Sequence, residues 1–343
     1  NHLFTPLEIG AWHLAHRVVM APLTRMRATR PGNAPNALNA AYYGQRASKG
    51  GLIIAEASPI SPTAHFGPGT PGIYSPDQMA GWKLVTDAIH AKGGIAVLQL
   101  WHVGRISHSS LQPGGGLPVA PSAIAAAGMT MSGAGKPVPF EVPRALETAE
   151  LPGIVADYAQ AARNALAAGF DGVEIHGANG YLLEQFLQTR SNTRTDAYGG
   201  SIENRARLML EVMRAIVQEI GGERTGLRIS PVTPANDIVD ADPQPLFDHL
   251  VRQLAPLGLS YLHVIEGSTG GPRDLPDRPF DYASLKATYR TAGGQAAWML
   301  NNGYDGALAA QALAQGADLV AFGKAYIANP DLVRRLREGA EWN

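Results

Sequence analysis

Apolar stretches of strand length recur eight times along this chain, and this recurrence restricts the possible folds more than any other feature. Most are rich in Val, Ile, Leu and Ala over nearly their whole length. Such continuous runs are typical of parallel strands that are covered on both faces. The eight predicted strands are Arg17–Leu23, Leu52–Ala57, Ile95–Trp101, Gly172–Gly177, Leu227–Pro231, Tyr261–Glu266, Ala296–Asn301 and Leu319–Gly323.

Amphipathic helical patterns lie between these strands. The clearest of them are Asp77–Ala91, Pro152–Ala168, Glu203–Ile220, Leu246–Leu257 and Gly306–Gln315. Strands that alternate with helices in this way predict one α/β domain, a (β/α)8 TIM barrel that occupies residues 1–343. An open dinucleotide-binding sheet is not favoured, because no G-x-G-x-x-G follows the first strand.

One connection is much longer than the others. Between the third strand and the third helix, residues from Gly104 to about Ala149 are rich in Gly, Pro and Ser. Long connections of this kind in a compact domain are usually functional, as lids or binding loops. We therefore expect a capping insertion over the active face of the barrel.

Composition excludes several classes of function. A formal net charge of −1 provides no basic surface for nucleic acid or an anionic membrane. No apolar run approaches the ~20 residues of a membrane span, and the first residues lack the apolar stretch of a signal peptide. The absence of Cys rules out disulfides, iron–sulfur clusters and Cys-ligated zinc. We expect a cytoplasmic protein that acts on small molecules.

Polar residues cluster where the predicted strands end, which is where a barrel of this type builds its active site. They belong to the turns after the strands or to the last positions of the strands themselves. The candidates are Thr24, Glu56, Ala57, Gln99, Trp101, His176, Asn179, Tyr181, Arg228, Asn302, Gly303, Gly323 and Lys324.

The last two strand ends predict a phosphate site. Loops after strands seven and eight commonly bind phosphate in this fold. Asn302 and Gly303 follow strand seven, and Gly323 and Lys324 follow strand eight, so glycines for close backbone approach stand beside a cation. The alternative is that these are ordinary turn glycines with a surface lysine.

Arg228 and Gln99 lie inside apolar strands, where a guanidinium and an amide are costly to bury without partners. They could satisfy each other within the barrel. Together with the Thr24 hydroxyl they could instead meet a planar ring that has several carbonyl groups, and an isoalloxazine fits that description. Arg228 would then stabilise the negative charge that develops on the ring.

His176, Asn179 and Tyr181 leave strand four together and suggest general-acid chemistry. His176 and Asn179 are suited to donate hydrogen bonds to one substrate oxygen, although a capped loop is also possible. Tyr181 keeps its proton at pH 7, since tyrosine has a pKa near ~10, and could donate it. No metal site is expected, because asparagine is a poor zinc ligand and no third ligand is near. Trp101 could be core or pocket.

At these same residues the chain resembles the Old Yellow Enzyme family, and within it the nitrate-ester, N-ethylmaleimide and related ene-reductases. The resemblance extends from one end of the chain to the other, and its central block is the most specific. The matching stretches are Met20–Arg30, Tyr42–Ala57, Leu98–Gly115, Phe170–Leu208, Leu227–Asp237 and Val320–Leu336.

The resemblance implies an enzyme with non-covalent FMN that works in two alternating steps in one pocket. NADH or NADPH reduces the flavin, and an activated alkene (an enone, enal, maleimide or nitroalkene) or a nitrate ester then reoxidises it. The implied flavin-binding residues are Pro22, Leu23 and Thr24 along the ring, Ala57, Gln99 and Arg228 on the pyrimidine side, and Asn302, Gly303, Gly323 and Lys324 at the phosphate. The implied substrate residues are His176 and Asn179 for the activating oxygen, Tyr181 as proton donor, and Trp101 and Phe66 as pocket walls.

The chain departs from the family pattern at two of these positions. Several relatives have a second His where this chain has Asn179, and many have Arg where it has Lys324. A lysine keeps the charge but loses the two-pronged geometry of a guanidinium. The rival prediction is a flavin-free TIM-barrel lyase or isomerase that acts on a phosphorylated substrate, and a non-catalytic binding module is a third. A yellow purified protein would separate the first prediction from both others. The sequence does not specify an oligomeric state.

Overall fold

The computed structural model describes residues 2–343, and its centre is a closed barrel of eight parallel strands in chain order. The strands are β1 (Val18–Met20), β2 (Leu52–Pro59), β3 (Ile95–Trp101), β4 (Gly172–Gly177), β5 (Thr225–Ile229), β6 (Tyr261–Ile265), β7 (Ala297–Asn301) and β8 (Leu319–Phe322). The barrel closes where β8 pairs with β1, with Val320 opposite Val18. The fold predicted from the sequence is confirmed.

Helices connect the strands on the outside of the barrel. They are α1 (Ala37–Arg46), α2 (Pro76–His90), α3 (Leu151–Ala167), α4 (Leu182–Leu187), α5 (Ile202–Ile220), α6 (Pro243–Leu254), α7 (Tyr282–Thr291), α8 (Gly306–Ala314), α9 (Lys324–Ala328) and α10 (Leu332–Glu338). Side-chain caps begin several of them; Ser75 accepts the N–H of Gln78, and Asp305 accepts that of Leu308. None of the helices within residues 2–343 is long and apolar enough to cross a membrane.

Two strands differ from their predicted ends for reasons that concern the site. β1 stops at Met20, since Pro22 has no N–H to continue the ladder. β2 runs on to Pro59, but its register with β3 shifts between Ala55 and Ser58. Such a bulge re-aims side chains, and it lies where the chain reaches Ala57.

A short hairpin closes the amino end of the barrel. It is formed by Leu7–Ile9 and Trp12–Leu14, and its buried Trp12 and Leu14 pack in one cluster with Val19 and Met299 from the barrel interior. The carboxyl ends of the strands are therefore left to form a cavity.

The long connection before α3 contains two short strand pairs. Val119–Ala120 pairs with Arg144–Ala145, and Met129–Met131 pairs with Pro137–Pro139 as a hairpin. Val103, Ile106, Ala126 and Phe140 from this connection pack in one cluster with Trp101, which ends β3. The connection thus contacts the carboxyl end of the barrel, and movement as a lid stays a prediction.

Candidate active site

A cavity of about 420 Å³ opens at the carboxyl ends of the strands. Its lining includes every residue that the sequence analysis assigned to flavin or substrate except Phe66. Eight further residues line it: Ala21, Thr269, Gly270, Gly271, Asn301, Tyr304, Phe322 and Ala325. Thr269 to Gly271 follow β6, a strand end whose Gly/Ser/Thr loop gave no chemical signal in the sequence.

Phe66 is half-buried beside the cavity. Its ring centroid is 5.6 Å from that of Trp101 and 6.4 Å from that of Tyr181. It therefore packs against two aromatics that line the cavity, and its place in the wall of the substrate pocket stays a prediction.

Glu56, the carboxylate at the end of β2, is structural. Its Oε2 accepts the Arg25 N–H at 3.0 Å, and its Oε1 accepts the Tyr43 hydroxyl at 3.1 Å. Burial raises the pKa of Glu56 to about 7, and the hydrogen bond from Arg25 opposes this shift. The carboxyl group thus anchors the turn that carries Thr24 into the cavity.

Arg228 forms part of the cavity wall inside the barrel, and it is buried with an unfilled donor. One terminal N–H donates to Asn301 Oδ1 on β7, whereas Nε has no hydrogen-bond partner in the described chain. Burial lowers the pKa of the guanidinium, and the nearby Glu174 opposes this effect. A buried cation with an unfilled N–H favours an electron-rich ligand edge.

Gln99 is held by a carboxylate that sequence analysis missed. Its Nε2 donates to Glu174 Oε1 at 2.7 Å, and the other carboxylate oxygen lies 2.8 Å from Nδ1 of the fully buried His263. Gln99 thus pairs with Glu174, and Arg228 with Asn301, whereas the sequence had left open a hydrogen-bonded pairing of Gln99 with Arg228. Because the Gln99 amide nitrogen is engaged, its oxygen is left to accept an N–H of a ligand.

His176 is a neutral donor. Its Nδ1 accepts the Ala178 N–H at 3.3 Å, so the ring proton lies on Nε2. Burial, with the Arg228 charge as a smaller cause, holds the pKa of His176 well below its usual value. The ring stacks on Trp101 at a centroid distance of 5.8 Å and an angle of 10°, which fixes its plane.

Asn179 has only its amide nitrogen free. The residue takes a left-handed conformation with φ of 58°, and its Oδ1 accepts the Thr269 hydroxyl at 2.6 Å. Its backbone N–H donates to Ser230 Oγ at 2.9 Å, and its carbonyl accepts from Asn236 Nδ2 at 2.7 Å. The Thr269 hydroxyl thus orients Nδ2 as a donor, and Ser230 and Asn236 hold the backbone of the residue. The sequence did not single out any of these three side chains.

The ring of Tyr181 packs against the rings of Trp101 and His176. Its ring centroid is 4.6 Å from that of Trp101 and 4.9 Å from that of His176, both edge-on. Burial raises the pKa of Tyr181 to about 12, and the Asn236 amide acts in the opposite direction. The hydroxyl therefore carries its proton at neutral pH.

The predicted phosphate residues meet where β7 and β8 end. Gly303 and Gly323 both line the cavity, and Gly303 takes a left-handed conformation with φ of 68°, so main chain is available to a ligand here. Lys324 begins α9, is exposed, and has no ion pair within residues 2–343. These features suit an anion that backbone N–H groups and one ammonium hold.

The side chain of Asn302 forms hydrogen bonds within the protein. Its Nδ2 donates to the carbonyls of Glu266 at 2.7 Å and Ser268 at 2.8 Å, and its Oδ1 accepts the Gly270 N–H at 3.0 Å. The side chain thus anchors the loop after β6, and only the Asn302 backbone is left for an anion.

Comparison with known proteins identifies the family of the chain. The model of the NADH:flavin oxidoreductase / NADH oxidase family matches residues 2–343. The chain belongs to this family. It is 45% identical to 12-oxophytodienoate reductase 1 of Oryza sativa subsp. japonica, over 99% of this chain and 87% of the relative.

Two solved structures extend the comparison to the fold. Morphinone reductase in complex with tetrahydroNAD is 47% identical, with a TM-score of 0.91 over 100% of this chain and 92% of that one. The old yellow enzyme homologue from Zymomonas mobilis is 41% identical, with a TM-score of 0.94 over 100% and 94%. Membership of the Old Yellow Enzyme family is confirmed, and the flavin-free lyase or isomerase is excluded.

The chain is therefore an FMN-dependent NADH:flavin oxidoreductase, and its cavity fits the flavin. The unfilled Nε of Arg228 and the free acceptor oxygen of Gln99 suit the polar edge of an isoalloxazine. Gly303 and Gly323, which line the cavity beside Lys324, suit its phosphate. Within residues 2–343, no group of three or more His, Asp or Glu side chains is placed to hold a metal ion.

Proposed function

We propose that this flavin oxidoreductase reduces activated C=C bonds in enones, enals, maleimides and nitroalkenes, and that it also reduces nitrate esters. The observation that carries the proposal is the set of three proton-bearing donors on one cavity wall: His176 Nε2, Asn179 Nδ2 and the Tyr181 hydroxyl. The names of 12-oxophytodienoate reductase and morphinone reductase both denote a ketone in the compound reduced, which supports a carbonyl-bearing acceptor.

Bound FMN supplies hydride transfer, from NADH or NADPH to the ring and from the ring to the acceptor. The chain's own part is to hold and polarise that ring. Gln99 Oε1 would accept the ring N–H, Arg228 would stabilise the developing charge, and the Thr24 hydroxyl would face a ring carbonyl. Backbone at Pro22, Leu23 and Ala57 would lie along the ring, and Asn302, Gly303, Gly323 and Lys324 would hold the phosphate.

His176 and Asn179 would bind the activating oxygen of the acceptor. Both donors are preorganised, His176 by its stacking on Trp101 and Asn179 by Thr269. Donors fixed before the reaction stabilise charge that develops on the oxygen without a cost of reorganisation. Because the pKa of His176 is held low, its ring is a neutral imidazole and not an imidazolium. It would therefore donate a hydrogen bond to an enolate oxygen without transferring its proton.

Tyr181 would protonate the carbon next to the activating group. Its raised pKa keeps the proton on the hydroxyl until a carbanion-like carbon needs it. Trp101 packs against the ring of Tyr181, and Phe66 packs against both, so the two aromatics would set the direction of the hydroxyl and shape the pocket.

The first expected result concerns the cofactor. Purified protein should be yellow, and heat should release FMN, because we expect polar contacts to the ring and the phosphate site to hold the flavin without a covalent bond. Chromatography of the released flavin checks this, with FAD and riboflavin as standards. Release of FAD, or a protein without flavin, would contradict the proposal. Oxidation of NADH that depends on an added maleimide, and not on its saturated succinimide, would then test the alkene as acceptor.

The second expected result concerns Lys324. Lys324→Ala should weaken FMN binding by roughly 10- to 100-fold, the loss expected for a hydrogen bond to a charged group. Fluorescence titration of the full-length apoprotein measures the affinity, and riboflavin, which lacks the phosphate, is the control ligand. Unchanged FMN affinity would mean that backbone N–H groups alone hold the phosphate.

A further inference from the structure

A phosphate monoester carries a charge of about −1.5 to −2 at neutral pH. Among the residues at the ends of β7 and β8, Lys324 alone provides a full positive charge, and a lysine is a single point charge without a two-pronged geometry. Charge balance at this end of the cavity therefore calls for a further cation from a neighbouring segment.

The loop after β6 brings an arginine to this place. The Ser268 N–H donates to the Pro272 carbonyl at 2.9 Å, which closes the loop and directs the next residue, Arg273, back towards β7. The Cγ and Cδ atoms of Arg273 lie 3.6 and 3.8 Å from the position that a Cβ on Gly303 would occupy. The aliphatic part of Arg273 thus passes beside the glycine assigned to the phosphate.

The charge of Arg273 is only weakly engaged within the protein. Its guanidinium lies over the ring of Tyr304 at 4.6 Å; Tyr304 lines the cavity, and Arg273 lies just outside that lining. Its carboxylate partner is Glu266, whose Oε2 is 3.8 Å away and already accepts the Tyr304 hydroxyl. A separation of 3.8 Å is too long for a hydrogen bond, so a doubly charged oxyanion would compete well for the guanidinium.

We propose that Arg273 is a second cation for the phosphate of FMN and acts together with Lys324. The inference rests on the proposed assignment of the phosphate to Gly303, Gly323 and Lys324. The guanidinium supplies the paired N–H donors that Lys324 lacks, and it comes from the loop that Asn302 anchors to β7. In this arrangement the chain compensates for having lysine where an arginine would otherwise bind the phosphate.

The test uses the holoenzyme with Arg273→Gln, which keeps a polar side chain and removes the charge. Dilution to nanomolar concentration releases FMN, and the recovery of flavin fluorescence gives its affinity. We expect FMN to bind about tenfold more weakly, near the lower end for loss of a charge-assisted hydrogen bond. Riboflavin should bind the Arg273→Gln apoprotein as it binds the wild type. The effect on FMN should also shrink as salt rises, because Arg273 is partly exposed.

Arg278→Gln is the matched control. Arg278 lies in the same connection to α7, but its guanidinium donates to the Ile238 carbonyl at 3.4 Å, away from Gly303. FMN affinity should not change in this variant. Equal losses for FMN and riboflavin in Arg273→Gln, or no loss for either, would overturn the proposal for Arg273. If Lys324→Ala weakens the binding of FMN but not that of riboflavin, the proposed phosphate site is supported independently of Arg273. If the wild-type apoprotein binds FMN and riboflavin equally, the phosphate site is contradicted as well.

Discussion

Replacing Tyr181 with Phe should slow enone reduction by about 10²- to 10⁴-fold, the usual contribution of a positioned general acid. The variant keeps the ring that packs against Trp101 and His176 and removes only the hydroxyl. Reduction of the flavin by NADH needs no proton at this position, so that half-reaction should stay near the wild-type rate. Stopped-flow measurement of the two half-reactions separates these effects.

Acceptors that need no carbon protonation provide the control for this variant. Quinones and nitrate esters should reoxidise the Tyr181→Phe enzyme at close to the wild-type rate. Misfolding or loss of flavin would lower every rate alike, and the contrast between acceptors excludes both. An enone rate that does not fall, or equal losses for all acceptors, would show that another group or solvent provides the proton.

Removal of the Asn179 amide should have the second largest effect. Asn179→Gly should lower kcat/KM for an enone by about 10²- to 10³-fold, the range seen when one preorganised oxyanion donor is lost. Glycine is chosen because it adopts the left-handed backbone of this position, with φ of 58°, without the strain that Ala would add. In the proposed mechanism the nicotinamide carboxamide would present its carbonyl oxygen to the same pocket, so both half-reactions should slow, in contrast to Tyr181→Phe.

Thr269→Val tests the orientation of that amide without removing it. Valine has nearly the shape of threonine but cannot donate to Asn179 Oδ1, which the hydroxyl contacts at 2.6 Å. The amide is then free to turn its oxygen towards the substrate, and kcat/KM for the enone should fall by about tenfold, or 1.4 kcal/mol. Full activity in Asn179→Gly would remove the amide from the proposed mechanism, whatever the result with Thr269→Val.

The barrel could be predicted because its strands are defined by local pattern. Ile95–Trp101 and Gly172–Gly177 are short, largely apolar segments, and both appear in the structure with the predicted bounds. Where tertiary geometry intervenes, prediction fails by a few residues. The bulge near Ala57 lengthens β2, and the course of the chain through Pro22 shortens β1. Neither effect is visible in the apolar pattern of the strand itself.

The site was predictable to the extent that its residues stand at strand ends. His176, Asn179 and Arg228 line the cavity for this reason. The hydrogen-bond partners of the site residues were not predicted, because they are distant in sequence. Glu174 is 75 positions from Gln99, and Thr269 is 90 positions from Asn179. Glu174 and His263 did leave one signal that could have been used: each is a titratable residue inside an apolar strand, at a position that must find a partner in the barrel.

The loop after β6 connects the two ends of the cavity. Thr269 in this loop sets the direction of the amide that would grip the acceptor, while its neighbours Ser268 and Gly270 are fastened to Asn302 at the start of the phosphate turn. Binding of the acceptor and binding of the FMN phosphate would therefore depend on the same short segment of main chain. We therefore expect substitutions in this loop that admit a bulkier acceptor to weaken FMN binding as well, whereas substitutions in the insertion before α3 should change acceptor range alone.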